Sequence, residues 1–281
     1  MTNPIADPFV EGPDVSPTAG QVRIEATARG VATVVMDRPA RRNAWDPEMI
    51  AALAEAFRTL AGAEGVRVVF IRGAGGHFAS GGDVEWMRRS QSQAEDELRE
   101  DLVAFAHMLK AWHQLPQLTV ALVEGVCVGG AAGLTAASDI AIATADATFA
   151  FPEARLGIVP GAIAPFIVRA VGPRRARSLF ATGRTFDAAY AERIGLIDEV
   201  AADAAALAGA AERIASEIMA CAPDAVDQAK RLVDHVYGRE IDDRLLADCA
   251  RRNAAGRLSE EGRAGVAAFL ERRAPPWAQA D

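Results

Sequence analysis

Two short glycine-rich stretches carry the residues best suited to chemistry in this sequence. One reads HFASGGDV over residues 77–84 and the other GVCVGGAAG over residues 125–133, each placed directly after a strand-like apolar run, VRVVFIRG and LTVALVEG. After Val128 the chain spends seven residues, GGAAGLT, with only Leu134 and Thr135 offering more than a methyl group. Such loops leave backbone N–H groups bare. Two bare N–H groups aimed at one point form an oxyanion hole, a preorganised donor pair for negative charge that develops on oxygen during a reaction. Gly-rich loops that follow parallel strands are also where α/β folds hold small ligands.

Other uses of the glycines fit less well. The run Gly73-Ala74-Gly75-Gly76-His77-Phe78 starts like a dinucleotide fingerprint but puts Phe78 where the third small residue belongs. No phosphate loop ending in Gly-Lys-Ser/Thr, no Gly-x-Ser-x-Gly elbow and no His-Glu-x-x-His helix occurs. The three cysteines, Cys127, Cys221 and Cys249, are odd in number and widely spaced, which argues against a disulfide framework or metal cluster and fits a reducing compartment. With 281 residues, 51% of them hydrophobic, the chain can bury one large core or two unequal ones. A net charge of −8 with dispersed arginines gives no field for nucleic acid. No apolar run reaches the roughly 18 residues of a membrane span, and the N-terminus has neither a basic start nor an apolar signal segment. The expectation is a cytoplasmic enzyme or binding protein with a flexible, acidic, Pro-rich leader over residues 1–18.

The elements that must position the two loops are legible in outline. QVRIEATARGVATVVMD reads as two strands meeting in a hairpin at Arg29-Gly30. Asp46 caps a helix that has Pro47 in its first position and Met49, Ile50, Leu53, Phe57 and Leu60 on one face. VRVVFIRG reads as a strand buried on both faces, followed by the first Gly loop, a long helix around residues 94–113 and the strand LTVALVEG. DIAIAT and ATFAF add two short strands. Strand–helix–strand repeats imply right-handed crossovers and a mostly parallel sheet. After about residue 163 no convincing strand remains except IDEV, and helical periodicity runs to Arg273. The chain therefore divides into an α/β core over residues 19–200 and a helical region over residues 201–281.

Four motifs in order resemble the enoyl-CoA hydratase/isomerase (crotonase) family. FASGGDV is similar to its Phe-x-Ala-Gly-Ala-Asp-Leu motif and GVCVGGAAGL to its second oxyanion loop. MDRPARRNAWD resembles its Asn-Arg-Pro-x-x-x-Asn-Ala segment, and ATFAFPEARLGIVPGAIAPF its Pro-Glu-x-x-x-Gly-x-x-Pro stretch. The resemblance implies an α/β crotonase-type fold of repeated β-β-α units with a helical C-terminal region that serves trimerisation. It implies that Gly82 and Gly130 donate their N–H groups to a thioester oxygen and that Glu153 is the acid/base. A pantetheine arm lying against Gly129 to Gly133 would then explain the missing side chains. Hydratases of the family commonly carry a second glutamate two residues before Thr135, where this chain has Gly133.

That departure leaves three readings open: a hydratase that works with Glu153 alone, an enoyl-CoA isomerase, or a non-catalytic acyl-CoA-binding homologue. VGGAAGLTAASD, IVPGAIAPFIVRAVG and the RRAPPW ending resemble methylglutaconyl-CoA and isohexenylglutaconyl-CoA hydratases, which also have glycine there and whose acyl group carries an extra carboxylate. Arg155, Arg169, Arg174 and Arg175 are candidate partners for it. By the same resemblance Ala44 and the Ser80, Gly81, Asp83 and Val84 segment line the coenzyme A channel, and Trp86 with Met87 could wall the acyl pocket. Arg41 and Arg42 are candidate phosphate partners; Phe269, Arg272 and Arg273 could contribute from the C-terminal helix. Asp83 is read as a structural residue, Cys127 as a small buried one, and His107, His113 and His235 as surface or packing residues, while His77 lies close enough to the first loop to touch ligand. Ser259 starts the last helix, with Val266, Phe269 and Leu270 as its buried face. The expected state is a homotrimer or a dimer of trimers. No metal or redox cofactor is implied; coenzyme A enters only as the substrate's thioester.

Overall fold

The computed structural model describes residues 21–278, so the leader expected over residues 1–18 lies outside the described residues. Strands β1 (Val22–Ala26) and β2 (Val31–Met36) form the expected antiparallel hairpin. Asp46 accepts the Met49 N–H at 2.8 Å and starts helix α1 (Pro47–Ala61), whose predicted apolar face is buried. The chain continues through β3 (Val68–Gly73), α2 (Val84–Ser90), α3 (Glu95–His113), β4 (Leu118–Val123), β5 (Val126–Val128), α4 (Gly130–Ala137), β6 (Ile140–Thr144) and β7 (Thr148–Ala150). Then come α5 (Ala164–Val171), α6 (Pro173–Thr182), β8 (Thr185–Asp187), α7 (Ala188–Ile194) and β9 (Glu199–Ala201). Helices α8 (Ala204–Met219), α9 (Pro223–Val236), α10 (Asp243–Leu258) and α11 (Glu260–Leu270) complete the described residues.

The main sheet has the order β1-β2-β3-β4-β6-β9, parallel throughout except for the β1/β2 pair. Alternate side chains of β3 enter two different cores. Val69 and Ile71 join the larger cluster with α1 and α3, while Val68 and Phe70 pack with Val120, Leu122 and Ile142 against Leu207 and Ile214 of α8. A strand covered on both faces needs no polar alternation, which is why its sequence reads as one apolar run. A second, three-stranded sheet, β5-β7-β8, lies in the other layer. Strands β4 and β6 are each followed by a short strand of that layer and then a helix, giving the repeated β-β-α pattern.

IDEV supplies the last strand, β9, as expected, but β8 is an additional strand after residue 163. Its three residues, Thr-Phe-Asp, carry no period of their own; pairing of Phe186 with Phe149 on β7 makes them a strand. The last helix also differs in part. Ser259 caps it, accepting the Gly262 N–H at 3.0 Å, but Val266, Phe269 and Leu270 face solvent rather than a core. Within one chain α11 packs chiefly on α10, and its buried residue is Ala268. Among the described residues no helix is long and apolar enough to cross a membrane.

Candidate active site

The first Gly loop is held from both sides by backbone. On one side the turn over residues 38–43 is anchored by Asn43, fully buried at φ +55°, a left-handed conformation that asparagine tolerates better than most residues. Its side-chain amide donates to the Ala74 and His77 carbonyls at 2.9 and 2.7 Å, and its carbonyl oxygen accepts the Arg38 N–H at 2.9 Å. Ser80 N–H donates to the Arg42 carbonyl, Trp45 N–H to the Gly81 carbonyl at 2.8 Å, and Asp83 N–H to the Trp45 carbonyl at 2.7 Å. On the other side Phe78 and Ala79 N–H donate to the Glu124 and Val126 carbonyls, and Val128 N–H returns a bond to Ala79. Gly129 N–H reaches the Ala150 carbonyl at 2.9 Å, which ties in the segment leading to Glu153. This lateral ladder brings the four sequence motifs into one layer.

Charge reinforces the ladder. Arg38 Nη1 lies 3.0 Å from Asp46 Oδ2 and 2.9 Å from Asp83 Oδ2, and donates to the Ala44 carbonyl at 3.0 Å. Burial by itself would raise the Asp83 carboxyl's pKa. Hydrogen bonds from the Glu85 and Trp86 N–H groups, with the Arg38 and Arg41 charges, outweigh it and hold the group below the usual carboxylate range. Asp83 is also the N-cap of α2, so one carboxylate joins the loop, the helix start and Arg38. Its expected structural role therefore has a geometry.

The two expected donors are left free by this arrangement. The bridge between Trp45 and Gly82 uses the Gly81 carbonyl and the Asp83 N–H, so the Gly82 N–H points away from Trp45. Gly130 N–H is the first of helix α4 and has no acceptor within the helix. Among the described residues no acceptor meets either group. The positive end of the α4 dipole adds to the attraction for an anionic oxygen. Gly129 has φ +56° and ψ −115°, a conformation essentially confined to glycine, and a Cβ there would stand 3.1 Å from Glu153 Oε1.

Glu153 lies in the short 3-10 turn Pro152–Leu156 that follows β7, with its carboxyl beside Gly129. Its Oε2 is buried and has no hydrogen-bond partner among the described residues. Burial pushes the carboxyl above the ordinary glutamate value, against a smaller opposing hydrogen bond from its own backbone N–H. A half-desolvated carboxyl next to free N–H donors can take up and return a proton. Gly133 is buried, and a Cβ there would lie 2.3 Å from Ile163 Cγ2. The place where a second glutamate would begin is thus filled by an isoleucine methyl.

The remaining expected residues divide. Ala44, Gly81 and Asp83 are buried around the first loop, and the exposed Arg41 and Arg42 stand at its edge in no ion pair among the described residues. Ser80 Oγ donates to the Arg41 carbonyl. Val84 is exposed, and Trp86 with Met87 lies in the first turn of α2, Met87 packed near Gly82 and the Trp86 indole N–H buried without an acceptor. The arginine candidates do not gather at the site. Arg169 pairs with Asp234 at 2.7 Å and stacks on Tyr237; Arg155 donates to the Thr182 carbonyl; Arg174 and Arg175 are exposed on α6. Phe269 is 81% exposed on α11, away from the loops of its own chain. His77 uses Nδ1 to accept the Val126 N–H, His113 and His235 lie against Asp234 and Asp248, and His107 is exposed. Cys127 is fully buried, which pushes its thiol up to about 12. Sequence reading assigned no role to Arg38, Trp45 or Ile163: only their neighbours across the fold give them one.

The family model described as enoyl-CoA hydratase/isomerase matches residues 26–280. A solved structure titled Pseudomonas aeruginosa AtuE superposes with a TM-score of 0.89 at 38% identity, covering 92% of this chain and 100% of that one. An enoyl-CoA hydratase from Shewanella pealeana gives a TM-score of 0.89 at 31% identity, with 92% and 96% covered. The 1,2-epoxyphenylacetyl-CoA isomerase of Escherichia coli is 28% identical over 251 residues, 89% of this chain and 95% of that protein. Free N–H groups on two Gly loops, a half-buried glutamate beside the second and a match over nearly the whole described length lead to one conclusion: the chain belongs to the enoyl-CoA hydratase/isomerase family.

Proposed function

We propose that the protein adds water to an α,β-unsaturated acyl-CoA thioester, with the Gly82 and Gly130 N–H groups holding the thioester oxygen and Glu153 as its single acid/base. The observation that carries the reading is the Glu153 carboxyl, whose Oε1 lies beside Gly129, one residue before the Gly130 donor, and whose Oε2 is buried and unpartnered among the described residues. In the forward direction the Glu153 carboxylate takes a proton from water as the water oxygen bonds to C3. The C2–C3 π pair moves toward the carbonyl, whose oxygen becomes an enolate accepted by the two N–H groups. The protonated Glu153 then returns its proton to C2, and water is added in sum. Each donor contributes roughly 3 to 4 kcal/mol if typical of such holes. A carboxyl raised by burial suits both halves of the cycle.

The isoleucine methyl at the second-glutamate position favours a second reading, isomerisation. There Glu153 removes a proton from C2 of a 3-enoyl thioester and returns it to C4, a task that needs one carboxyl and no ordered water. The discriminating assay runs crotonyl-CoA, 3-methylglutaconyl-CoA and a 3-enoyl-CoA side by side, with Glu153→Gln as control. Hydration removes the conjugated thioester absorbance, whereas isomerisation creates it. The motif likeness to methylglutaconyl-CoA hydratases makes the carboxylated acyl group the first substrate to try. Silence with all three thioesters, with binding retained, replaces both readings by an acyl-CoA-binding role. We also propose a homotrimer or a dimer of such trimers; the exposed Phe269 and Leu270 of α11 supply apolar surface that one chain leaves uncovered.

A further inference from the structure

Trp45 touches both halves of the donor pair. Its backbone clamps the first loop: the N–H donates to the Gly81 carbonyl at 2.8 Å and the carbonyl accepts the Asp83 N–H at 2.7 Å, so the peptide N–H of Gly82 is turned outward between them. Its ring abuts the second loop. A Cβ on Gly130 would stand 3.1 Å from both Trp45 Cε3 and Cζ3, and 2.8 Å from Phe105 Cζ. Phe105 in turn meets the Trp45 ring edge-on, with centroids 5.6 Å apart and planes at 84°. The side chain is 2% exposed, so the ring has no room to swing away. Backbone clamp and ring belong to one buried residue, which therefore contacts both loops.

The ring's fit does not come from a hydrogen bond. Trp45 Nε1 is buried with no acceptor among the described residues, a state that costs free energy an all-carbon ring would avoid. What a tryptophan adds over phenylalanine or leucine is reach, since Cε3 and Cζ3 belong to the outer, six-membered ring. We infer that Trp45 is a positioning residue that sets the separation of the two oxyanion donors. This rests on the thioester reading of the site. Its effect would fall on the transition state, where both N–H groups must meet one oxygen, more than on ground-state binding, which the long coenzyme A arm dominates.

The test separates this inference from the reading beneath it. Crotonyl-CoA labelled with carbon-13 at the thioester carbonyl is bound to Glu153→Gln protein, and the carbonyl stretch is recorded by isotope-edited infrared difference spectroscopy. The parent variant is expected to lower the stretch relative to free thioester. Adding Trp45→Leu is expected to remove about half of that shift or more while the thioester still binds, with Trp45→Phe in between. In the otherwise native chain, Trp45→Phe is expected to lower kcat by about 100-fold with KM little changed. Should Trp45→Leu unfold, as judged by circular dichroism, Trp45→Phe carries both measurements. A full parental shift and native kcat in the Trp45 variants would overturn the positioning role. Absence of any shift in the Glu153→Gln parent would overturn the thioester reading and this inference with it.

Discussion

The sharpest consequence of the structure concerns Gly133 and Ile163. A methyl group added by Gly133→Ala would lie 2.3 Å from Ile163 Cγ2 and 2.7 Å from Ile163 Cβ, whereas carbon atoms in contact prefer about 3.5 to 4.0 Å. Ile163 is 2% exposed and sits where α5 begins, so its side chain has no solvent to move into. Relief must come from displacing α4 against α5, and overpacking of this kind costs about 1–3 kcal/mol. Ile163→Ala alone leaves a cavity and costs about 2–5 kcal/mol. In the double variant the new methyl enters the vacated space, so the combined cost should fall short of the sum by about 0.5–3 kcal/mol. Urea unfolding at one fixed protein concentration measures all four corners, the midpoints being compared at constant m. A Gly133→Ala protein as stable as the parent, or a strictly additive cycle, would refute the claim that Ile163 holds this volume. By the same geometry Gly133→Glu alone cannot install a second carboxylate without moving Ile163.

Three further outcomes follow from the site and its supports. Glu153→Gln should lower turnover by about 10²–10⁴-fold, measured on whichever thioester the parent converts. Because burial raises the Glu153 pKa, the native carboxyl contributes stability that is present at acid pH and lost as pH rises through its folded value. Glu153→Gln should therefore be the more stable protein at neutral pH, with thermal melts converging toward about pH 4. Asp83 has the opposite sign. Its lowered pKa contributes stability above the ordinary carboxylate range that disappears as pH falls, so Arg38→Met should flatten the acid limb of a stability profile. The same variant should lose about 3–5 kcal/mol at neutral pH by leaving Asp46 and Asp83 without their cation; an unchanged urea midpoint would contradict that. For the C-terminal helix, Phe269→Glu with Leu270→Glu should bring the solution mass by light scattering down to the 29.6 kDa of one chain. A parent already at that mass would refute the assembly.

Sequence by itself determined the parts whose cause is local. Asp46 and Pro47 start α1, Ser259 starts α11, and the both-faces-buried run of β3 announces a central strand because each signal depends on residues a few positions apart. The Gly loops were legible for the same reason: absent side chains are visible without knowing their neighbours. Strand β8 was not, since Thr-Phe-Asp becomes a strand only through the partner that β7 provides. Nor could sequence tell which face of α11 a single chain covers, or that Arg169 belongs to Asp234 and Tyr237 rather than to the pocket. The tertiary structure alone decided how the site is held. Arg38 reaching Asp83 across 45 residues of chain, Trp45 spanning Gly82 and Gly130, and Ile163 filling the space at Gly133 are contacts between distant segments. Short-range propensity does not encode such contacts, because they are set by how the layers close over a common core.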